Sequence, residues 1–186
     1  ETTLFFIYGT PSHEPLGSLD TFRNKNCYVI DNPMFVPDAM ENILFIPEPR
    51  RSDFVKESID ETNKAINKML EHTVKESLKD KKTYGENKPL IVVYHGDVKG
   101  ATYQNGVSAS SPTAISKELL QSLNADYYAL GHIHMPQEVF PNAWYSGSAC
   151  PKNFGETHDG CYNLVTIENG KTKVERISFE LPMYLT

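Results

Sequence analysis

Two apolar runs in this chain end in the same way, and that shared ending limits what it can fold into. Leu90-Ile91-Val92-Val93-Tyr94 is continuous and rich in β-branched residues, and it stops at His95-Gly96-Asp97. Tyr127 to Leu130 stops at Gly131-His132-Ile133-His134. Runs this short and this uniformly apolar read as strands covered on both faces, the kind that parallel sheets use. A glycine at the end lets the chain turn sharply. Imidazoles delivered there lie along one edge of the sheet, where open α/β sheets bind ligands. His132 and His134, one residue apart, can hold one or two divalent metals. The plain alternative is a pair of polar loop residues pointing opposite ways.

The remaining segments supply further strands and their crossovers. Leu4 to Tyr8 predicts a fully buried strand, because it does not alternate, and Gly9-Thr10-Pro11-Ser12-His13-Glu14-Pro15 breaks it with turn formers. His13 is therefore a third histidine just past a strand end. Cys27–Ile30 and Asn42–Ile46 are two more short strands, and Pro47, Pro49, Arg50 and Arg51 form a rigid connection with local positive charge. From Ser52 to about Lys81 the residues Phe54, Val55, Ile59, Ala65, Ile66, Met69, Leu70, Val74 and Leu78 recur at helical spacing. Ser52 with Asp53 is the expected cap. The opposite face is Lys and Glu, and His72 among them reads as a surface histidine.

The loop from Val98 to Ser111 is long for an inert connection. Ser111-Pro112 is expected to open a second helix, with Ile115, Leu119, Leu120 and Leu123 turned inward. Glu138–Phe140, Ala143–Tyr145, Tyr162–Ile167 and Lys173–Ile177 then follow as strands in close succession, with an Asn169-Gly170 hairpin turn between the last two. Strands with helical crossovers followed by antiparallel strands predict an α/β fold, a layered sheet sandwich with helices outside.

Composition removes several function classes. With 186 residues there is material for one ordinary domain, and 39% hydrophobic with 23% charged residues belongs to a globular chain. A net charge of -6 gives no general pull toward nucleic acid, although a local basic groove can coexist with an acidic total. No apolar run approaches the ~20 residues that span a bilayer, and no basic segment precedes a hydrophobic core as in a signal peptide. Cys27, Cys150 and Cys161, an odd number without CxxC spacing, favour reduced thiols and a cytoplasmic setting. Glu1-Thr2-Thr3 runs at once into an apolar strand, so the expectation is a piece whose first part is missing.

Four of the six histidines, His13, His95, His132 and His134, thus fall at strand ends, while His158 falls in a polar turn. Imidazole suits zinc, manganese and iron, and a dinuclear site needs carboxylates as well, one of them bridging. Strand-end carboxylates look scarce. Asp97 follows His95 by two residues, and Asp126 precedes its strand, at the wrong end. Read this way, the chain holds half of a metal centre.

Leu130-Gly131-His132-Ile133-His134 resembles the GHxH segment of calcineurin-like metallophosphoesterases. The likeness extends, toward the SbcD-type DNA repair nucleases, through Met135-Pro136-Gln137 and Tyr145-Ser146-Gly147-Ser148. Val93-Tyr94-His95-Gly96 with Gly100-Ala101 is similar to that family's other metal-histidine loop, and Phe154-Gly155-Glu156 also fits. The resemblance covers most of residues 4–180. It implies an α-β-β-α sandwich of the metallophosphoesterase type, incomplete at its N-terminus. Residues 1–186 would then be a partial catalytic domain without the Asp-x-His and GDxxD motifs or a C-terminal capping domain.

The same resemblance implies two divalent metal ions, manganese first, with zinc or iron as alternatives. His95 and His132 would bind one and His134 the other. His13 would match the histidine that assists phosphate-ester cleavage near the leaving group. Ser12 stands where the family has a metal-binding asparagine, and Glu14 stands in place of its aspartate. A hydroxyl is a weaker neutral ligand, so the second metal would be held more loosely, or Ser12 would act through water.

The implied reaction is metal-assisted hydrolysis of a DNA phosphodiester by an exo- or endonuclease subunit. The implied partners are DNA and an SbcC-like ATPase subunit, with a homodimer left open and no membrane. One alternative is a smaller metallophosphoesterase acting on a nucleotide or a phosphoprotein. A third reading is a non-catalytic fragment, since the bridging aspartate is missing, and inactivity on DNA is the expectation for this chain alone.

Overall fold

A computed structural model describes residues 2–12, 14–38, 40–150 and 159–178. Three sheets and two helices occur among them. Chain order runs β1 (Leu4–Ile7), β2 (Cys27–Ile30), β3 (Met34–Pro37), β4 (Asn42–Ile46), α1 (Ile59–Tyr84), β5 (Leu90–His95), α2 (Lys117–Gln121), β6 (Tyr127–Gly131), β7 (Gln137–Phe140), β8 (Ala143–Tyr145), β9 (Cys161–Glu168) and β10 (Lys171–Ser178).

The largest sheet has six strands in the order β3-β4-β5-β6-β8-β7. Its middle, β4, β5, β6 and β8, is parallel, and β3 and β7 close the two edges antiparallel. The protein is therefore mixed α/β. The parallel centre follows from the buried runs that the sequence makes obvious, with Leu90, Val92 and Tyr94 almost fully covered. β3 was not expected from the sequence. Pro33 precedes this four-residue strand and Pro37 is its last residue, which suits only an edge strand, where missing N–H donors cost no ladder bonds.

The first helix starts later than its apolar stripe suggests. Ser58, not Ser52, is the cap, its hydroxyl accepting the Glu61 N–H at 3.2 Å. Arg51–Phe54 form a separate 3-10 turn. Val55 and Ile59, assigned to the stripe by spacing, are about three-quarters exposed, and the face that packs is Ile66, Leu70 and Val74. These side chains join Leu44, Ile46, Leu90, Val92 and Tyr94 of the sheet in one core. The second helix also shortens. Ser111 to Ala114 is a turn, and α2 begins beyond Ser116, whose hydroxyl accepts the Leu119 N–H.

β1 departs from expectation more sharply. It pairs only with β2, in a two-stranded parallel sheet, and leaves Leu4 and Phe6 partly open to solvent. Its inner contact is Phe5 against Phe45, with ring centroids 4.8 Å apart. β9 and β10 form a hairpin, as the sequence predicts. Asn169 and Gly170 both take positive φ, 52° and 71°, the requirement of a type I′ turn. No helix of the described residues is long and apolar enough to cross a membrane, and all three cysteines are free.

Candidate metal centre

Parallel pairing fixes where the functional side chains meet. Ile46 lies opposite Tyr94, and Tyr94 opposite Leu130, while His95 lies opposite Gly131. One residue further on, Glu48, Gly96 and His132 come level as the three strands run out. This is the crevice beyond the carboxyl ends of parallel strands. One ligand atom from each of Glu48, His95 and His132 lies within 4.8 Å of the others. Glu48 Oε2 is 3.1 Å from His95 Nδ1 and 3.4 Å from His132 Nδ1.

Each of these side chains is held by its surroundings. The Glu48 N–H donates to the Tyr8 carbonyl at 3.4 Å, which draws the end of β1 over the cluster. Thr10 arrives with it, donating its hydroxyl to Glu48 Oε2 at 3.0 Å, with His132 Nδ1 at 3.3 Å. Two glycines grip the His95 ring. A Cβ on Gly9 would stand 2.7 Å from His95 Nε2, and one on Gly131 would stand 2.9 Å from Cδ2. Nε2 is thus packed against backbone, and Nδ1 is the ring nitrogen turned to the carboxylate. His132 takes φ 107°, a backbone conformation that costs a non-glycine residue about 1–3 kcal/mol. Strain of that kind persists only where the surrounding structure over-determines it.

Asp97 closes the other side of His132, its Oδ1 lying 3.5 Å from Nε2. Tyr103, from the long loop, donates its hydroxyl to the same Asp97 oxygen at 2.5 Å. The loop is itself anchored. Gln137 accepts the Thr102 N–H through Oε1 at 2.8 Å and donates to the Thr102 carbonyl through Nε2 at 2.6 Å. Tyr145, fully buried, accepts the Val98 N–H at 3.0 Å and donates to the Gly96 carbonyl at 2.7 Å. Tyr145→Phe should therefore leave buried backbone groups unsatisfied, lowering unfolding free energy by about 1–3 kcal/mol in a urea titration. A loss below half a kcal/mol (about the surface-mutation level) would contradict this anchoring.

Charge in the cluster is tightly coupled. Burial pushes the Glu48 carboxyl up, but hydrogen bonds and charge from His132 and His95 outweigh it and bring its pKa down to about 2. The Glu48 hydrogen bond raises the His132 pKa against the effect of burial, with the charges of Glu48 and Asp97 adding to it. Without metal, a raised histidine stabilises fully below its unfolded value, and that contribution is lost as pH rises through the raised one. A metal must displace the same proton, so its affinity rises over that interval. As pH rises from the ordinary histidine value through the raised one, this contribution to the melting temperature should fall in metal-free protein, and zinc affinity by calorimetry should increase. Zinc affinity independent of pH would count against His132 as a ligand.

The donor set fits a divalent ion. One anionic oxygen and two imidazole nitrogens are the mixture that zinc, manganese and iron accept. Of the residues expected from sequence, His95 and His132 are brought together. His134 is not in this cluster. Its carbonyl accepts the Ser148 N–H at 3.0 Å, and Gly147, at φ 88°, packs against it and Pro136. The two segments that carry much of the family resemblance therefore touch each other. Ser12 lines the adjoining cleft, whereas His13, Phe154-Gly155-Glu156 and His158 lie outside the described residues. His72 is on the surface, as expected, 3.9 Å from Glu76.

The expectation that strand-end carboxylates are scarce needs correction, because Glu48 is one. It stands between two prolines after β4, and nothing local distinguishes it from a loop glutamate. Only the pairing of β4 with β5 places it beside His95. Thr10 and Tyr103 likewise carry no local signal, since other tertiary contacts place them. The cleft beside the cluster holds about 410 Å³ and is lined by Glu48, Asp97 and His132 together with several hydroxyl side chains. That volume suits a small ligand. Comparison of the chain with protein-family models and with curated proteins gives no match.

Proposed function

We propose that this protein is a metal-dependent phosphoesterase, most similar in its chemistry to the SbcD-type nucleases. The observation that carries the reading is the convergence of Glu48, His95 and His132 at three adjacent strand ends, with Glu48 and His132 lining a cleft. Glu48, His95 and His132 would hold one divalent ion there. Such an ion supplies Lewis-acid polarisation of a phosphoryl oxygen and activates water near neutral pH. Glu48 contributes the negative charge that a neutral pair of imidazoles lacks, and Thr10 fixes its Oε2. Asp97, held by Tyr103, faces His132 Nε2 and favours the ring orientation that leaves Nδ1 for the site. His13, by resemblance, would protonate the leaving oxygen. A layered α-β-β-α arrangement of the sheets, a DNA substrate and an SbcC-like ATPase partner belong to the same proposal.

A single ligand set among the described residues has a consequence for substrate. An activated ester, whose leaving group departs without a proton, needs less assistance than a DNA alkoxide. With manganese, the 186-residue chain should hydrolyse bis(p-nitrophenyl) phosphate faster than free manganese does and leave linear duplex DNA uncut. His132→Ala should return the rate to the free-ion level. A wild-type rate equal to that of free manganese would remove the basis for the reading. The cleft volume also favours a second reading, an esterase for a small nucleotide. Faster turnover of p-nitrophenyl phosphate than of the diester would select it.

A further inference from the structure

We propose that Arg51 is the phosphate anchor of the cleft, gripping a non-bridging oxygen of a phosphate ester whose remaining oxygens face the Glu48–His132 side. The inference rests on the phosphoesterase reading above and adds the residue that recognises the substrate.

Two consecutive arginines follow Pro49, and their surroundings separate their roles. Arg50 is committed to the fold. Its Nη2 donates to the Glu14 carbonyl at 2.9 Å, and its guanidinium lies 5.4 Å from the Tyr8 ring centroid. Arg51 lines the cleft instead, as the first residue of the 3-10 turn, and it is the lone lysine or arginine among the described residues that do so. One donor, Nη1, is held at 2.9 Å by Oδ1 of Asn63, a buried residue of α1. No carboxylate among the described residues forms an ion pair with Arg51. A guanidinium has five N–H donors in a fixed fork that matches phosphate geometry. Asn63 therefore braces the fork without neutralising it.

The rest of the lining agrees with an anionic ligand bound through oxygen. Ser52, Ser111 and Thr113 bring hydroxyls to the same cleft, and Thr113 and Ser111 hydroxyls lie 3.1 Å apart. Without a cation, Glu48 and Asp97 would repel that ligand, so the anchor and the metal act together. An anchor built from one guanidinium and hydroxyls reads the phosphate and not the group it carries. Recognition should then be indifferent to the nucleoside.

The test is a titration of the zinc-loaded chain by NMR with inorganic phosphate and, separately, thymidine monophosphate. Arg51→Gln should weaken both ligands by the same factor, about 10- to 100-fold, as expected for a lost charged hydrogen bond. Arg51→Lys should fall between, since it keeps charge and loses the fork. Zinc affinity of both variants should stay within about twofold of wild type, a difference worth a few tenths of a kcal/mol. Phosphate binding that is absent in wild type, or unchanged in Arg51→Gln, would overturn the proposal, as would unequal losses for the two ligands. A parallel loss of zinc affinity would also overturn it, by assigning Arg51 to the metal centre. Equal zinc affinity in wild type and His132→Ala would count against the phosphoesterase reading, while an equal loss of both phosphate ligands in Arg51→Gln would still support the anchor.

Discussion

Glu48→Gln is expected to lower zinc or manganese affinity by more than about 100-fold while the chain stays folded. Loss of an orienting partner outside the ligand shell already costs about 10–100-fold in metal affinity, and this substitution removes a ligand together with its charge. Two features make Glu48 the most sensitive position. Its Oε2 is the shared neighbour of His95 Nδ1 and His132 Nδ1, and it accepts the Thr10 hydroxyl. The amide keeps the shape and an acceptor oxygen, so the comparison isolates charge from packing. In the metal-free protein the same change should return the His132 pKa toward its ordinary value, because the Glu48 hydrogen bond is the principal cause of its rise. Calorimetry gives the affinity and NMR of the imidazole gives the titration. A Glu48→Gln protein with wild-type affinity would show that the ion is held elsewhere.

Gly9→Ala should have the second-largest effect, through space and not charge. The added methyl would sit 2.7 Å from His95 Nε2 and 2.8 Å from Cε1, closer than real atoms approach. The ring has little room to retreat toward Gly131, where even an added Cβ would stand 2.9 Å from Cδ2. Overpacking of this kind costs about 1–3 kcal/mol, and a displaced Nδ1 should weaken metal binding by about 10–100-fold, as loss of an orienting contact does. A double-mutant cycle separates the clash from any other effect of alanine. In a His95→Ala background the Gly9→Ala change should cost almost no stability. An undiminished cost there would place the clash somewhere other than the ring.

The parts of this site that could be read from sequence are those encoded locally. His95 and His132 follow uninterrupted apolar runs, so strand, strand end and ligand type are adjacent in the chain. Asn169-Gly170 similarly states its own turn. Glu48 is different, because its role depends on β4 lying next to β5, 47 residues away from it in the His95 contact. Thr10 depends on the Tyr8–Glu48 backbone contact, and Tyr103 on the Gln137 clamp. These are tertiary facts with no local pattern. The helix start shows a different limit. Phe54 and Val55 continue the apolar spacing of α1, yet the Ser58 cap overrides them by satisfying the Glu61 N–H. β1 shows a third, because an unbroken apolar run predicts burial on both faces, yet Leu4 and Phe6, on one face, stand partly open to solvent. Spacing detects what a segment can bury and says less about what the fold places beside it.

Anomalous diffraction from crystals soaked in zinc tests the metal centre most directly. One principal peak is predicted, about 2.0–2.2 Å from a Glu48 oxygen and from one ring nitrogen each of His95 and His132. A zinc ion bound at His134 with Glu48 outside its shell, or no peak beside His95 and His132 at saturating zinc, would contradict it.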